Sequence, residues 1–167
     1  MGPSWMSRSW IKAPSHLVMD TVPLLLLLVG AYDQSYLSKF KRLKSYGYEK
    51  WHFEVLSKYI FGTKTMTITP GVLSETGNFL ENDHHFSEIL ASNVSLLAMI
   101  KEAYIEKARI LNCELIFQFA FTDSSLILFA QDSGGSILTR DRKLWAACKK
   151  RGVDAHHLDE VLAAGDL

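Results

Sequence analysis

The stretch TDSSLILFAQDSGGSILTRDRKLWAACKKRGVDAHHL, residues 122–158, decides the fold of this chain. Its first part has apolar residues at helical spacing over residues 123–131 and ends at a pair of glycines. A short apolar strand at residues 136–139 follows, and then a second helix at residues 142–151. Residues 153–156 are typical of an edge strand. This order of helix and strand favours an α/β fold with a parallel sheet.

The same alternation of strand and helix is found earlier in the chain. Residues 16–19 (HLVM) predict a strand, and the apolar helix after them runs to about Ala31. A second strand is predicted at residues 66–68, with a helix that begins at Thr69 and Pro70. The other segments are predicted as a helix at residues 48–61, one or two helices at 84–111, and a strand or approach loop at 112–121. Together they predict a three-layer α/β/α sandwich with a central parallel sheet.

Length and composition fit one soluble domain. The chain has 167 residues, of which 48% are apolar and 22% are charged. We expect residues 1–15 to be a flexible N-terminal extension and residues 16–167 to form the domain. Lys+Arg and Asp+Glu are equal at 18 each, so net charge alone does not indicate a nucleic-acid-binding protein. The cysteines, Cys113 and Cys148, are expected to be reduced thiols, which predicts a cytoplasmic protein.

The apolar run VPLLLLLV at residues 22–29 has two interpretations. It is far shorter than the roughly 20 residues that a membrane-spanning helix needs, so we expect no membrane partner. The basic residues Arg8 and Lys12 before it resemble the start of an export signal. However, Asp20 immediately precedes the run, which favours a buried first helix.

Acidic residues recur where apolar segments end, at Asp20, Glu75, Asp123 and Asp141, which we call the four acids. Ligands of parallel sheets bind outside the carboxyl ends of the strands, and these residues lie at such junctions or early in a helix. A carboxylate beside apolar core is costly unless it is compensated, and a divalent cation compensates it well. Taken singly, each acid also fits a structural role, such as a helix start at which Thr122 or Asp123 is the N-cap.

Cations for holding a substrate are concentrated in one basic and aromatic segment, residues 33–48. Basic side chains bind phosphates and aromatic rings stack on unpaired bases, although a solvated helix face explains the same pattern equally well. Arg140, Arg142 and Lys143 flank Asp141 and have the same two interpretations. The candidate substrate-binding residues are Lys39, Lys41, Arg42, Lys44 and Arg142.

Three segments carry a resemblance to a known family: LVMDTVPLLLLL at residues 17–28, ITPGVLSETGNFL at 68–80, and the stretch quoted first. They contain, in order, a strand followed by Asp, Thr and an apolar helix; an acid on a helix after a strand; and an acidic helix with a strand that ends in Leu-Thr-x-Asp. In these features the chain resembles the PIN-domain ribonucleases, most closely the single-domain toxins of the VapC type.

The resemblance implies a function and a site. The four acids would be both the catalytic and the metal-binding residues, and they would hold one or two Mg²⁺ or Mn²⁺ ions for the hydrolysis of RNA. Thr139 matches a hydroxyl often found in the family, and we expect it to contact substrate. The toxins of this family imply a cognate antitoxin and a homodimer. Two alternatives remain: a catalytically silent PIN-like binding module and a structure-specific DNA nuclease.

Overall fold

The computed structural model describes residues 11–165 and contains a parallel sheet with helices on both of its faces. Within those residues the strands lie in the order β3-β2-β1-β4-β5, and every neighbouring pair is parallel. The architecture is therefore the predicted three-layer α/β/α sandwich. The strands are β1 (His16–Met19), β2 (Thr65–Ile68), β3 (Lys101–Glu102), β4 (Ser136–Thr139) and β5 (Ala155–His157).

Helices connect and cover these strands, as parallel strands require crossover connections. Short 3₁₀ turns lie at Gln34–Tyr36 and Glu114–Phe117. The helices described are α1 (Thr21–Tyr32), α2 (Lys41–Lys44), α3 (Lys50–Phe61), α4 (Pro70–Leu80), α5 (Phe86–Met99), α6 (Lys107–Leu111), α7 (Phe121–Ser133), α8 (Arg142–Lys150) and α9 (Leu158–Ala164).

Strand β1 is at the centre of the sheet because it is apolar on both faces. Leu17, Val18 and Met19 have no solvent exposure, as expected for a strand covered on both sides by helices. Val18 is in register with Thr67 of β2 and Ile137 of β4. This register brings the carboxyl ends of β1, β2 and β4 to the same edge of the sheet.

The apolar run at residues 22–29 forms most of α1, which confirms the predicted buried first helix. Asp20 caps the helix, and the residues from Leu24 to Val29 are all buried. Helix α1 packs against α3, α4 and α5, so its apolar surface is covered on several sides. None of the helices in residues 11–165 has the length and apolar character needed to cross a bilayer.

One prediction for the middle of the chain was wrong, and the structure decides between the two alternatives of another. Residues 84–111 contain α5, the edge strand β3 and α6, whereas only helices were predicted there. Strand β3 consists of Lys101 and Glu102, which are both exposed, so no apolar alternation marks it. Residues 112–121 were predicted as a strand or an approach loop, and they contain a 3₁₀ turn and no strand, which favours the loop. Helix α9 was not predicted, since it begins directly after the three residues of β5.

The predicted N-terminal extension, residues 1–15, can be compared with the structure only at residues 11–15, because residues 1–10 lie outside the described residues. Residues 11–15 are in contact with the domain. Ile11 and Ala13 pack against the core, and the carbonyl of Ser15 accepts hydrogen bonds from the backbone of Lys64 and Thr65. A flexible extension therefore does not describe residues 11–15.

Candidate active site

The four acids line one pocket at the carboxyl edge of the sheet, which we call the acid pocket. Asp20 follows β1, Asp141 follows β4, Glu75 lies on α4 after β2, and Asp123 lies in the first turn of α7. The pocket has a volume of about 340 Å³. The convergence expected from the sequence is therefore present in the structure.

Asp20 is the most deeply placed of the four acids, with 8% of its surface exposed. Its Oδ1 accepts a hydrogen bond of 2.7 Å from the backbone N–H of Thr21, and its Oδ2 accepts one of 2.6 Å from the hydroxyl of Thr139. Burial raises the pKa of the Asp20 carboxyl, the hydrogen bonds oppose this rise, and Glu75 and Asp141 add to it. The carboxylate is thus fixed in direction by two donors while its charge remains unfavourable.

Two further acids are oriented by neighbouring polar groups. The hydroxyl of Thr21 donates to Oε2 of Glu75 at 2.8 Å. Asp141 caps α8, because its Oδ1 accepts from the backbone N–H groups of Lys143 and Leu144 at 2.7 and 3.0 Å. Each of these carboxylates keeps a second oxygen for which no donor is found among residues 11–165.

Asp123 differs from the other three because no described residue donates a hydrogen bond to its carboxylate. The N-cap of α7 is Ala120, so the capping role considered for Asp123 is wrong. Burial raises the pKa of the Asp123 carboxyl to about 7, and the charges of Asp20, Asp141 and Glu75 contribute to the rise. A half-buried, unpaired carboxyl beside three others is the group that would gain most from a cation.

The pocket fits a divalent cation of a particular kind. Within residues 11–165, no three His, Cys, Asp or Glu side chains already converge at ligand distance of one point. Mg²⁺ keeps several of its waters and is usually held by one or two carboxylates directly. The chemistry of the lining matches that mode: two carboxylates have raised pKa values, and two others have one free oxygen each. The residues present thus suit a hydrated Mg²⁺ or Mn²⁺ ion.

Two arginines and a tyrosine form the cationic wall of the acid pocket. The guanidinium of Arg140 lies 3.8 Å from the ring centroid of Tyr46, and that of Arg42 lies 5.3 Å from the same centroid. Both arginines and Tyr46 line the pocket with the four acids. Positive charge therefore faces the same space as the carboxylates, an arrangement that suits a phosphate bound beside a metal ion.

Arg140 has a buried donor with no acceptor. Its Nε lies 3.6 Å from Oδ1 of Asp159, which is too long for a hydrogen bond, and no other described group accepts from it. The same Asp159 oxygen instead accepts a hydrogen bond of 2.7 Å from the hydroxyl of Tyr48. The Nε–H therefore remains unsatisfied in a position closed to solvent, which is costly in free energy.

Of the four basic residues predicted to bind substrate in residues 33–48, one lines the acid pocket. Of the basic segment, Arg42 lines the acid pocket, whereas Lys39 and Lys44 are exposed and outside it. Lys41 lines a neighbouring cavity. Most aromatic residues of the segment are used in packing, because Phe40 is buried and the hydroxyls of Tyr36 and Tyr48 bind carboxylates.

Two candidates have other roles in the structure. Arg142 does not line the acid pocket, and its guanidinium donates to Glu160 at 2.7 Å on the protein surface. Thr139 is fully buried, so its hydroxyl cannot contact substrate as expected. It positions acids instead, because it donates to Asp20 and accepts from the backbone N–H of Asp141 at 2.9 Å.

Comparisons with known proteins inform the fold alone. No family model matches the chain, and no curated protein matches it. Among solved structures, it is similar to the crystal structure of PAE2754 from Pyrobaculum aerophilum, with a TM-score of 0.55 and 15% identity over 94% of this chain and 98% of the other. A second is a domain of a functionally unknown protein from Methanocaldococcus jannaschii DSM 2661, with a TM-score of 0.43 and 16% identity over 86% and 91%. The first supports the α/β architecture.

Proposed function

We propose that this protein is a metal-dependent endoribonuclease that hydrolyses RNA phosphodiester bonds. One observation carries the proposal: four carboxylates from separate elements line one pocket, and burial and mutual repulsion raise the pKa values of Asp20 and Asp123. Such a cluster is costly in free energy without a cation, and functional sites are where such costs are retained. Carboxylates are the ligands that Mg²⁺ and Mn²⁺ prefer.

In this mechanism the protein provides ligands, orientation and charge. A bound Mg²⁺ or Mn²⁺ ion would supply an activated water and neutralise charge on the scissile phosphate. The four acids would hold that ion. The hydroxyls of Thr139 and Thr21 fix the directions of Asp20 and Glu75. To hold the ion the Asp123 carboxyl must be ionised, and a bound cation would favour that form over the protonated one.

The cationic wall accounts for the choice of a nucleic-acid substrate. Arg42 and Arg140, which line the acid pocket beside Tyr46, would hold phosphate oxygens. Arginine guanidiniums also stack on unpaired bases, as exposed aromatic rings do. RNA is preferred to DNA on the strength of the three segments that resemble PIN-domain ribonucleases.

The direct test is a cleavage assay with end-labelled single-stranded and structured RNA in Mg²⁺, Mn²⁺ or EDTA. We expect cleavage in the presence of either ion and none in EDTA. The variants Asp20→Asn and Asp123→Asn should lose about 100-fold or more, because even residues that only orient metal ligands contribute 10–100-fold. Asp132→Asn is the matched control on α7, since Asp132 pairs with Arg109 outside the acid pocket.

Three outcomes would contradict the proposal. Cleavage that persists in EDTA would exclude a metal-dependent reaction. Equal activity of Asp20→Asn and the unmodified protein would remove the acid pocket as its site. Metal-dependent cleavage of DNA alone would favour the structure-specific DNA nuclease.

The biological setting remains a prediction from the sequence. A toxin role, an antitoxin partner and a homodimer follow from the resemblance, and no comparison names any of them. Both cysteines are free thiols in the structure, which supports the cytoplasm as the proposed location.

A further inference from the structure

A second cavity adjoins the acid pocket, and we call it the flanking cavity. Its volume is about 580 Å³, within the range of roughly 300–1,000 Å³ for small-ligand sites. Arg42 and Phe79 line both spaces and therefore form a shared wall. The flanking cavity is also lined by Asn82 and Asp83, which follow α4. Nothing in the proposed hydrolysis requires this space.

We propose that the flanking cavity binds the base of the nucleotide next to the scissile phosphate, so that the protein acts on unpaired RNA. This inference rests on the proposed function, because the acid pocket locates the scissile phosphate. The continuity of the two spaces through Arg42 and Phe79 is the geometric argument. A strand whose phosphate lies in the acid pocket has its neighbouring nucleotide at that shared wall.

The shared wall has the chemistry for stacking. The Arg42 guanidinium lies 4.8 Å from the ring centroid of Phe79, so a cation and an aromatic ring are in contact there. Guanidinium planes and aromatic rings are the two surfaces on which proteins stack unpaired bases. Arg42 is exposed and Phe79 is half-buried, which leaves both accessible from the cavity.

Charge gives the bound nucleotide its direction. Of the two cations that line the flanking cavity, Arg42 also lines the acid pocket, where a phosphate would be held, whereas Lys41 does not. Asp83 lines the flanking cavity and not the acid pocket, and its oxygens already accept from the hydroxyl of Tyr36 and the backbone N–H of His85. The negative charge of Asp83 repels a phosphate, whereas it does not repel a neutral base.

One side chain in the flanking cavity can read the base edge. Asn82 is exposed, and its Nδ2 donates to the carbonyl of Asn78 at 2.7 Å, while no described residue donates to its Oδ1. The amide oxygen can accept a hydrogen bond from an N–H group of a base, and the second Nδ2 hydrogen can donate to a base oxygen or ring nitrogen, so Asn82 can distinguish bases by their pattern of donors and acceptors. Such contacts need the base to be extruded from a helix, which restricts the substrate to unpaired segments.

The first test measures binding without cleavage. Fluorescein-labelled single-stranded RNA and a duplex of the same sequence are titrated in EDTA and followed by fluorescence anisotropy. We expect Phe79→Leu and Arg42→Ala each to raise the Kd for the single strand about tenfold, within the range for loss of one stacked base. The controls are Phe61→Ala, which removes an exposed ring at the other end of the sheet, and Arg109→Ala, which removes a cation paired with Asp132.

The second test measures base preference. Chimeric oligonucleotides that carry A, C, G or U beside a fixed cleavage position are compared by kcat/KM in Mn²⁺. We expect Asn82→Ala to reduce the difference in kcat/KM between the most and the least preferred base at least fivefold, without changing the dependence on metal. Asn82 is exposed, so this variant keeps the inference testable even where Phe79→Leu unfolds.

The outcomes separate this inference from the proposed function. Metal-dependent cleavage that Asp20→Asn abolishes, together with unchanged Kd and base preference in the Phe79 and Asn82 variants, overturns the role of the flanking cavity alone. Arg42 also lines the acid pocket, so an unchanged Kd in its variant counts against both proposals. Equal losses of affinity for single strand and duplex overturn the restriction to unpaired RNA, and equal losses for single-stranded DNA overturn the restriction to RNA. Absence of both binding and cleavage in the unmodified protein overturns both proposals.

Discussion

The hydroxyl of Thr139 donates a hydrogen bond of 2.6 Å to Oδ2 of Asp20, across 119 positions of sequence. The two residues end neighbouring strands, because β1 and β4 pair in a register that sets Met19 beside Leu138. The same hydroxyl accepts from the backbone N–H of Asp141. One buried side chain thus links two of the four acids, and the register of the sheet determines their separation.

Replacement of Thr139 by valine should damage both the fold and the site. Valine has the same shape without the hydroxyl, so the backbone N–H of Asp141 and one oxygen of the buried Asp20 would lose their partner. We expect the free energy of unfolding to fall by about 1–3 kcal/mol, as is usual for a buried polar group left unsatisfied. Urea denaturation measures this change, and cleavage rates under saturating Mn²⁺ measure the effect on the site.

Thr139→Ser is the control, because serine keeps the hydroxyl and loses only a methyl group. It should retain most of the activity and differ from the unmodified protein mainly in stability. A serine variant as impaired in cleavage as the valine variant would show that packing, and not the hydrogen bond to Asp20, is what Thr139 contributes.

The sequence predicted the central strands well and the edge poorly, for a physical reason. His16–Met19 and Ser136–Thr139 are buried on both faces, so their apolar character is visible in the sequence, and both were predicted at their observed bounds. Strand β3 is two charged residues at the edge, held by backbone pairing with Thr67 and Ile68. Hydrogen bonding between backbones does not require an alternation of apolar and polar side chains, so the sequence does not reveal this strand.

The candidate site shows the same contrast. The four acids were identified because junctions between strands and helices can be located from sequence, and the parallel sheet then brings them together. The sequence does not show, however, in which direction a long side chain points. Arg140 and Arg142 are two residues apart, yet one stacks on Tyr46 in the pocket and the other pairs with Glu160 outside it.

The raised pKa of Asp123 predicts how stability depends on pH. The ordinary value of 3.8 becomes about 7 on folding, so the folded state binds the proton more tightly than the unfolded chain. Stability from this group is therefore fully present below pH 4 and is lost as the pH rises to about 7. In EDTA, we expect Asp123→Asn to raise Tm at pH 8 and to have little effect at pH 4.

The measurement is differential scanning calorimetry of both proteins across that range. Asp132→Asn is the control, because its ion pair with Arg109 lowers the pKa of Asp132 and gives the opposite sign. For a chain of this size, 1 kcal/mol corresponds to about 2–4 °C in Tm. Equal Tm differences at pH 4 and pH 8 for Asp123→Asn would show that folding does not raise the pKa of the Asp123 carboxyl.

Two helical glycines should respond in opposite directions to alanine. A Cβ on Gly30 of α1 would lie 2.2 Å from the ring of Phe53, so Gly30→Ala should destabilise by about 1–3 kcal/mol through overpacking. A Cβ on Gly77 of α4 would meet nothing within 4 Å, so Gly77→Ala should stabilise by about 0.5–1 kcal/mol through helix propensity. Urea denaturation compares both with the unmodified chain, and a stabilising Gly30→Ala would contradict the close approach of α1 and Phe53.

Arg140 and Arg142 form a matched pair for phosphate binding. Arg140→Gln should raise KM for RNA and reduce the slope of log KM against log salt by about one, because one phosphate contact is lost. Arg142→Gln should leave both quantities unchanged, since its guanidinium binds Glu160 outside the pocket. Steady-state cleavage between 50 and 200 mM KCl measures the two slopes. Identical slopes in the two variants would show that Arg140 of the cationic wall does not bind a phosphate.

Addition of divalent cation should stabilise the protein, and more so at alkaline pH. A ligand at 100 times its Kd that binds only the folded state contributes about 2.7 kcal/mol. The ion requires ionised carboxylates, and the pKa of Asp123 is raised to about 7, so binding at pH 6 must first remove a proton. We therefore expect Mn²⁺ to raise Tm by several degrees at pH 8 and by less at pH 6, and EDTA to reverse both shifts. Asp20→Asn should abolish the shift and Asp132→Asn should keep it, whereas equal shifts in the two variants would locate the bound ion outside the acid pocket.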